Sequence, residues 1–466
     1  MKLAIVGAGP SAFYAASRIL SGLPEAQQLR VHLFDRLWAP HGLVRYGVAP
    51  DHPEVKNCTH KFDGVAQDPR FRFFGNVNVG GTSTIPHNVN VPLASLCANY
   101  SHLLFATGCT VPSLHSALPT SQYCRPALSL VHWYTQHPSH QPPPSLDKMT
   151  HVSLIGNGNV SLDVARMLLT PVSILKQYDV PESVLDVLSR STVRHVSIIA
   201  RRGPLEVAFT TKELRELINL PDASMMPIDK TILDTANVKL TRQQSRIFQL
   251  LEKGSKQPFG STEKTWSLDF FRSPTGLTPT SNPSFAQLSL AHTVVDPITK
   301  KAELTGETSL METSLVVPSL GFQGEPNMPF YDPALRHLRT VAGRLVSSRG
   351  NVVKNAYASG WASTGAKGVL ASTMIDAYSV ADTILSDLSS PETDIQNASE
   401  DELALNQSPD LESIPSQVEQ GLHDKNIVGY DDWRRIDQKE VARGEALGKE
   451  RERMGWQEAR EYLSSR

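Results

Sequence analysis

The chain has 466 residues, is 40% hydrophobic and 20% charged, and carries a formal net charge of -2. That length accommodates two or three domains with ample buried core. The near-neutral balance excludes a global field drawing the protein to nucleic acid or an anionic membrane, so any charged partner is met by a local patch.

The first apolar run, "KLAIVG", reads as a strand and leaves no room for a leader segment before it. It enters the turn Gly7-Ala8-Gly9-Pro10-Ser11-Ala12, a G-x-G-x-x-A variant that opens a helix. The first glycine permits the tight turn, the second lets a pyrophosphate approach the backbone, and the small third residue lets helix pack on strand. Phosphates would sit on the helix N-terminus, where free N–H groups and the dipole favour negative charge. The next strand, "LRVHLFDR", closes on Asp35. A carboxylate there accepts hydrogen bonds from ribose hydroxyls and repels a 2′-phosphate, so this turn suits FAD or NAD.

Another strand, "YSHLLFATG", ends at Gly108, and "HWYTQHPSHQPPPSLDK" (132–148) reads as a loop or hinge, since its histidines lack ligand-like spacing. A second strand–turn–helix begins at His151 with Gly156-Asn157-Gly158-Asn159-Val160-Ser161. Here the following strand, "VRHVSIIARR", closes on Arg201 and Arg202. Arginine presents a fixed fork of donors matched to phosphate oxygens, which points to the 2′-phosphate of NADPH; a solvated basic strand end is the alternative. "TSLVVPSLGF" repeats the strand-to-glycine pattern near Gly321. The polar, acidic stretch 386–420 reads as a flexible linker. The tail from 421 to 466 regains helix-forming composition.

Cys58, Cys97, Cys109 and Cys124 form no C-x-x-C pair. That argues for a reducing compartment and against a dithiol redox centre or an iron–sulfur cluster within the chain. No apolar run approaches the ~18 residues of a membrane span. With one acid-terminated and one arginine-terminated dinucleotide turn, the economical chemistry is hydride transfer from NADPH to a bound flavin.

Three stretches are more distinctive than the glycine turns: "HGLVRYGVAPDHPEVKN" (41–57), "GNGNVSLDVARMLLTP" and "RRGPLEVAFTTKELREL". They closely resemble the adrenodoxin reductase family, the mitochondrial-type ferredoxin–NADP+ reductases, and the likeness continues in "LDFFRSPTG", in "ASGWASTGAKGVLASTMIDAYSVADTIL" and more faintly in "DWRRIDQKEVARG". The resemblance implies an α/β fold of two Rossmann-like dinucleotide-binding domains in a glutathione-reductase-like flavoprotein architecture. A discontinuous FAD domain (1–107 and 323–385) would receive an inserted NADP domain (108–322). A helical tail (421–466) would pack on the FAD domain.

It also implies FAD contacts from Gly7, Gly9 and Ser11, with Asp35 on the adenosine ribose and Leu43 and Val79 lining the flavin site. Trp361 and the backbone of Gly368, Val369 and Leu370 would hold the isoalloxazine. NADPH would be cradled by Gly156, Asn157, Gly158, Asn159 and Val160, gripped by Arg201 and Arg202, and bounded by Glu213 and Gly368. The family usually has Glu at Asp35 and a Pro-Thr pair at Ala366-Lys367. Glycines before a run of small residues in "GWASTGAKGVLASTMIDA" also read as a helix start able to offer N–H groups to the flavin. His52 and Asp163 are the candidates for handling the flavin proton; a turn residue and an ordinary helix-start acid are the plainer readings.

The partner implied is a small acidic 2Fe–2S ferredoxin, docking at Arg215, Arg242 and Arg246. Arg242 and Arg246 are an i, i+4 pair on one face if the segment is helical, and a solvated face is the alternative. No nucleic-acid partner is expected, membrane association is at most peripheral, and the protein is expected to be a monomer. The resemblance implies a mitochondrial location and a role in iron–sulfur or haem biosynthesis or toward P450-type acceptors. A glutamate synthase small-subunit-like module would carry N-terminal cysteine clusters, absent here, and a disulfide reductase would need a dithiol. A nucleotide-binding regulator is the rival of a different class.

Overall fold

The computed structural model describes residues 1–24, 28–81, 83, 85, 87–235, 238–389 and 403–465. They fall into two compact units, one of residues 1–111 with 322–466 and one of residues 112–321.

In the first unit, one seven-stranded sheet has the order Thr340–Val341, Arg344–Val346, Val352–Ala358, His102–Phe105, Lys2–Val6, Arg30–Asp35, Phe71–Gly75. The strands from Val352–Ala358 to Phe71–Gly75 run parallel. Parallel sheets are covered on both faces, hence the near-continuous apolar runs; every residue of Lys2–Val6 is buried. The helix Pro10–Gly22 follows at once, with Pro10 at a first-turn position where a missing N–H costs nothing. Its small residues Ala12, Ala15 and Ala16 are buried, and it packs along the helix Leu370–Ser389.

The second unit has five parallel strands in the order Ala223–Met225, Lys264–Asp269, His195–Ile199, His151–Ile155, Leu315–Pro318. Beside them is an antiparallel sheet of Arg272–Pro279, Ala286–Val295 and Ala302–Thr313. In both large sheets the strand feeding a glycine turn is flanked on one side by the next strand of its own βαβ unit. On the other side lies a strand from much later in the chain. That reversal of strand order is the switch point outside which α/β sheets bind ligands.

The stretch expected to be a flexible linker, 386–420, differs from that expectation where it is described. Residues up to Ser389 finish the Leu370–Ser389 helix, 390–402 lie outside the described residues, and 403–415 run without helix or strand, pinned at particular points, with Leu405 and Pro415 buried. Leu403, Leu405 and Ile414 sit in the cluster containing Leu96, Cys97 and Tyr100. The buried Lys2 ammonium donates to the carbonyls of Asp410 and Ser413. Widely spaced apolar residues seat this polar strap, a pattern that composition averages away. The tail then forms the helices Ser416–His423, Tyr430–Leu447 and Trp456–Ser464. Likewise, residues 132–134 of the expected loop finish the helix Ala127–Tyr134.

Candidate functional site

At the first turn, Gly7 has φ +106°, and a Cβ there would lie 2.4 Å from the carbonyl oxygen of Ala106. The fold itself therefore requires this glycine. Gly9 is different: a Cβ added there meets nothing within 4 Å. The open volume lies at the N-terminus of the Pro10–Gly22 helix, where no side chain caps the free N–H groups, an arrangement suited to a phosphate. Asp35 is buried, with Oδ2 accepting from the Ala8 N–H at 2.6 Å and Oδ1 from the Leu37 N–H at 2.7 Å. Burial pushes its carboxyl pKa up, and the two N–H groups oppose that shift. Each carboxylate oxygen has a second lone pair, so ribose hydroxyls can still be bound.

Around this turn the first unit gathers several expected residues. Ser11 Oγ lies 2.7 Å from Ser359 Oγ, and Asp376 Oδ2 accepts from both Ser359 Oγ (3.0 Å) and the Gly360 N–H (2.6 Å). Gly42 (φ +47°) backs directly onto Gly9, whose Cα would be 3.0 Å from a Cβ. Leu43 is 38% and Val369 59% exposed, apolar surface a flavin would cover, whereas Val79 is 7% exposed and belongs to the core. Trp361 is half-buried, stacks on Phe322 at 6.3 Å, and donates from Nε1 to the Lys367 carbonyl at 3.0 Å.

The expected single helix start is in fact two helices, Trp361–Thr364 and Leu370–Ser389, separated by a turn containing Gly365 and Gly368, both at positive φ. Asp376 takes the Gly360 N–H, so that donor already serves the protein. His52 is buried at the start of the 3₁₀ turn Pro53–Cys58, its backbone N–H donating to Ala49.

The second turn repeats the plan. Gly156 has φ +117° and would place a Cβ 2.4 Å from the Ser319 carbonyl oxygen, while Gly158 again faces nothing within 4 Å. The helix Asn159–Leu169 starts there with no side-chain cap. Ser161, in the third slot, donates to the Gly156 carbonyl at 2.6 Å, and Val160 packs against the core. The side-chain amide nitrogen of Asn157 is buried and has no hydrogen-bond partner among the described residues. Such a donor is costly unless a ligand satisfies it.

Arg201 is exposed and Arg202 half-buried, and neither guanidinium is paired among the described residues. Their backbone is held: Thr293 Oγ1 donates to the Arg201 carbonyl at 2.8 Å, and the Phe271 ring fills the space beside Gly203. The chain then returns to the turn. The Thr210 N–H donates to Asn159 Oδ1 at 2.8 Å and the Ala208 N–H to the Asn157 carbonyl at 3.3 Å.

Thr210 caps the helix Thr211–Ile218, which carries Glu213. Asp163 was expected at the helix start; the helix begins at Asn159, so Asp163 is its fifth residue, past the first turn, where it pairs with Arg166 at i, i+3 and 2.8 Å. Arg166 also meets Glu213 at 3.2 Å and Glu216 at 3.4 Å. Arg215 is exposed on the same helix, and Arg242 and Arg246 are exposed on the neighbouring helix Arg242–Lys253. The sequence pattern does not single out Arg166, Ser359 or Asp376. Only the Asp163–Arg166 spacing offered a local signal, because the other contacts join residues more than fifteen positions apart.

The residues present fit the groups expected: two glycine turns with room for a phosphate, one beside a buried carboxylate, the other beside two free guanidiniums and an orphaned amide donor. No family model matches the chain. The mitochondrial NADPH:adrenodoxin oxidoreductase of Salvelinus fontinalis is 34% identical over 473 residues, covering 97% of this chain and 89% of that one. The Homo sapiens protein of that name is 34% identical, covering 97% and 90%. Among solved structures, Mycobacterium tuberculosis FprA in complex with NADPH superposes with a TM-score of 0.82 at 31% identity, covering 99% of this chain and 98% of that one.

Proposed function

The chain belongs to the NADPH:adrenodoxin oxidoreductase family, and from that premise we propose how it uses its two sites. It is an FAD-dependent oxidoreductase that draws electrons from NADPH and delivers them to a ferredoxin-type partner. FAD, when bound, supplies the conversion of a two-electron hydride into single electrons. The Gly9 turn and the uncapped N–H groups of Pro10–Gly22 hold its pyrophosphate, Asp35 its ribose, and the Leu43, Trp361 and Gly368–Leu370 surfaces its ring. In the second unit Gly158 admits the nucleotide phosphates and Asn157 donates to them, while Arg201 and Arg202 grip the 2′-phosphate. His52 and Asp163 handle the proton that accompanies hydride transfer.

The partner is a 2Fe–2S ferredoxin with an acidic face, met by Arg215, Arg242 and Arg246. The protein works as a monomer in the mitochondrial matrix, at most peripherally attached to membrane, feeding iron–sulfur or haem biosynthesis or P450-type acceptors. The mitochondrial relatives support that placement, and among the described residues no helix is long and apolar enough to cross a membrane.

The observation that carries the reading is the pair of open glycine positions, Gly9 and Gly158, set beside charges of opposite sign. Anaerobic NADPH is expected to bleach the bound flavin, and cytochrome c reduction is expected to need added ferredoxin. A flavin that stays oxidised under NADPH would instead mark a nucleotide-binding regulator.

A further inference from the structure

The segment His41–Tyr46 forms the back wall of the first glycine turn. The His41 N–H donates to the Ala8 carbonyl at 2.8 Å, and Gly42 rests on the Gly9 backbone. Nothing in the segment's own sequence explains what presses it there. The tail helix Tyr430–Leu447 reaches it at two points. The Tyr430 hydroxyl donates to Asp63 Oδ1 at 2.9 Å, so it accepts from His41 Nε2 at 3.1 Å. Burial holds the His41 imidazole neutral, its pKa pushed down to about 3, which matches a ring that donates through one nitrogen only.

Ten residues along the tail helix, Glu440 is 0% exposed. It takes both Arg45 terminal nitrogens, at 3.0 and 2.8 Å, together with Arg451 at 3.2 Å and the Met454 N–H at 2.9 Å. The Arg45 guanidinium is also roofed by Trp433, 4.7 Å from that ring's centroid. Gly444 allows the chain to fold back so closely that Arg451 reaches Glu440, since a Cβ there would lie 2.3 Å from the Arg451 Cα. A buried ion pair is weak support for net stability, but removing one partner strands a buried charge, so Arg45 is held to the place Glu440 gives it, at the turn's back wall.

We propose that Glu440 and Tyr430 are positioning residues for the flavin: the tail helix grips His41–Arg45 at both ends and keeps the Ala8–Gly9 turn closed on FAD. The inference rests on the FAD reading above. It is tested on the full-length holoprotein by following flavin fluorescence after dilution. Glu440→Gln keeps the shape and removes the charge facing Arg45 and Arg451. It is expected to speed FAD release on the order of tenfold, equivalent to about 1.4 kcal/mol, and to lower the melting temperature of the holoprotein more than that of the apoprotein. The NADPH Michaelis constant of the flavin-loaded fraction should stay within about twofold, because the second unit is untouched.

Equal melting shifts in apo- and holoprotein, with wild-type release, would reduce the contact to an ordinary structural ion pair and overturn the proposal. If Glu440→Gln does not fold, Tyr430→Phe removes a single oxygen and is expected to speed release about threefold; wild-type release there overturns the grip as well. A wild-type protein that holds no FAD would overturn the underlying reading, and the grip with it.

Discussion

Asp35 and the Arg201–Arg202 pair occupy the same place in two copies of one βαβ plan, at the end of the strand that follows the glycine turn. In the first unit the charge also serves the fold: both Asp35 oxygens hold backbone N–H groups, one of them from the turn itself, and each keeps one lone pair for a ligand. In the second unit the fold holds only the backbone of the arginines, and both guanidiniums stand ready for a ligand. Under the function proposed above, the difference separates a site for a resident cofactor from one for a substrate that comes and goes. The tail grip at Glu440 extends the first arrangement; in the second unit the buried Arg166, paired with Asp163, Glu213 and Glu216, ties the turn's helix to Thr211–Ile218.

The largest effects are expected at the glycines. Gly7→Ala and Gly156→Ala each force a side chain into a positive-φ position against a carbonyl. Both should lose on the order of 3 kcal/mol in urea unfolding, from strain and overpacking together. Gly9→Ala and Gly158→Ala meet only open space and should change stability by less than about 1 kcal/mol. The first should nevertheless purify without FAD. The second should keep FAD and raise the NADPH Michaelis constant on the order of tenfold, the signature of about 1.4 kcal/mol of lost binding. If Gly158→Ala lost the flavin and Gly9→Ala kept it, the assignment of cofactors to units would be reversed.

A smaller effect sharpens the comparison within the second unit, whose arginines are assigned two separate jobs. Arg242→Ala and Arg246→Ala should each lower ferredoxin-dependent turnover a few-fold at low salt, an effect that fades as the Debye length shrinks from about 10 Å at 0.1 M to about 3 Å at 1 M. NADPH–ferricyanide turnover should not move in either variant. A loss in both assays would tie these residues to the nucleotide instead of the partner.

Much of this was legible in the sequence because glycine turns and strand-end charges are local patterns. Gly7, Gly9, Asp35, Gly156, Gly158, Arg201 and Arg202 each announce themselves by residue type and spacing alone. What stayed hidden was long-range. Glu440 sits 395 positions from Arg45, and nothing local in "QKEVARG" sets this acid apart from the other charges around it. Asp376 reads as one acid in a run of small residues until the fold brings it to Gly360. The strap after residue 402 looked like linker because three seated apolar residues do not shift its average composition. Asn157 was visible as a turn residue, but its orphaned amide appears only once the surrounding chain is packed.

Whether the charge behind each turn decides which nucleotide it takes is read from steady-state kinetics of the Arg201→Ala/Arg202→Ala double variant with NADPH and with NADH. Each charge-assisted bond to the 2′-phosphate contributes about 1.5–3 kcal/mol. The specificity constant for NADPH should therefore fall on the order of a hundredfold or more, mainly through the Michaelis constant, while that for NADH changes little and the bound FAD is retained. Equal losses with both nucleotides would mean that the arginines support the fold and do not read the phosphate.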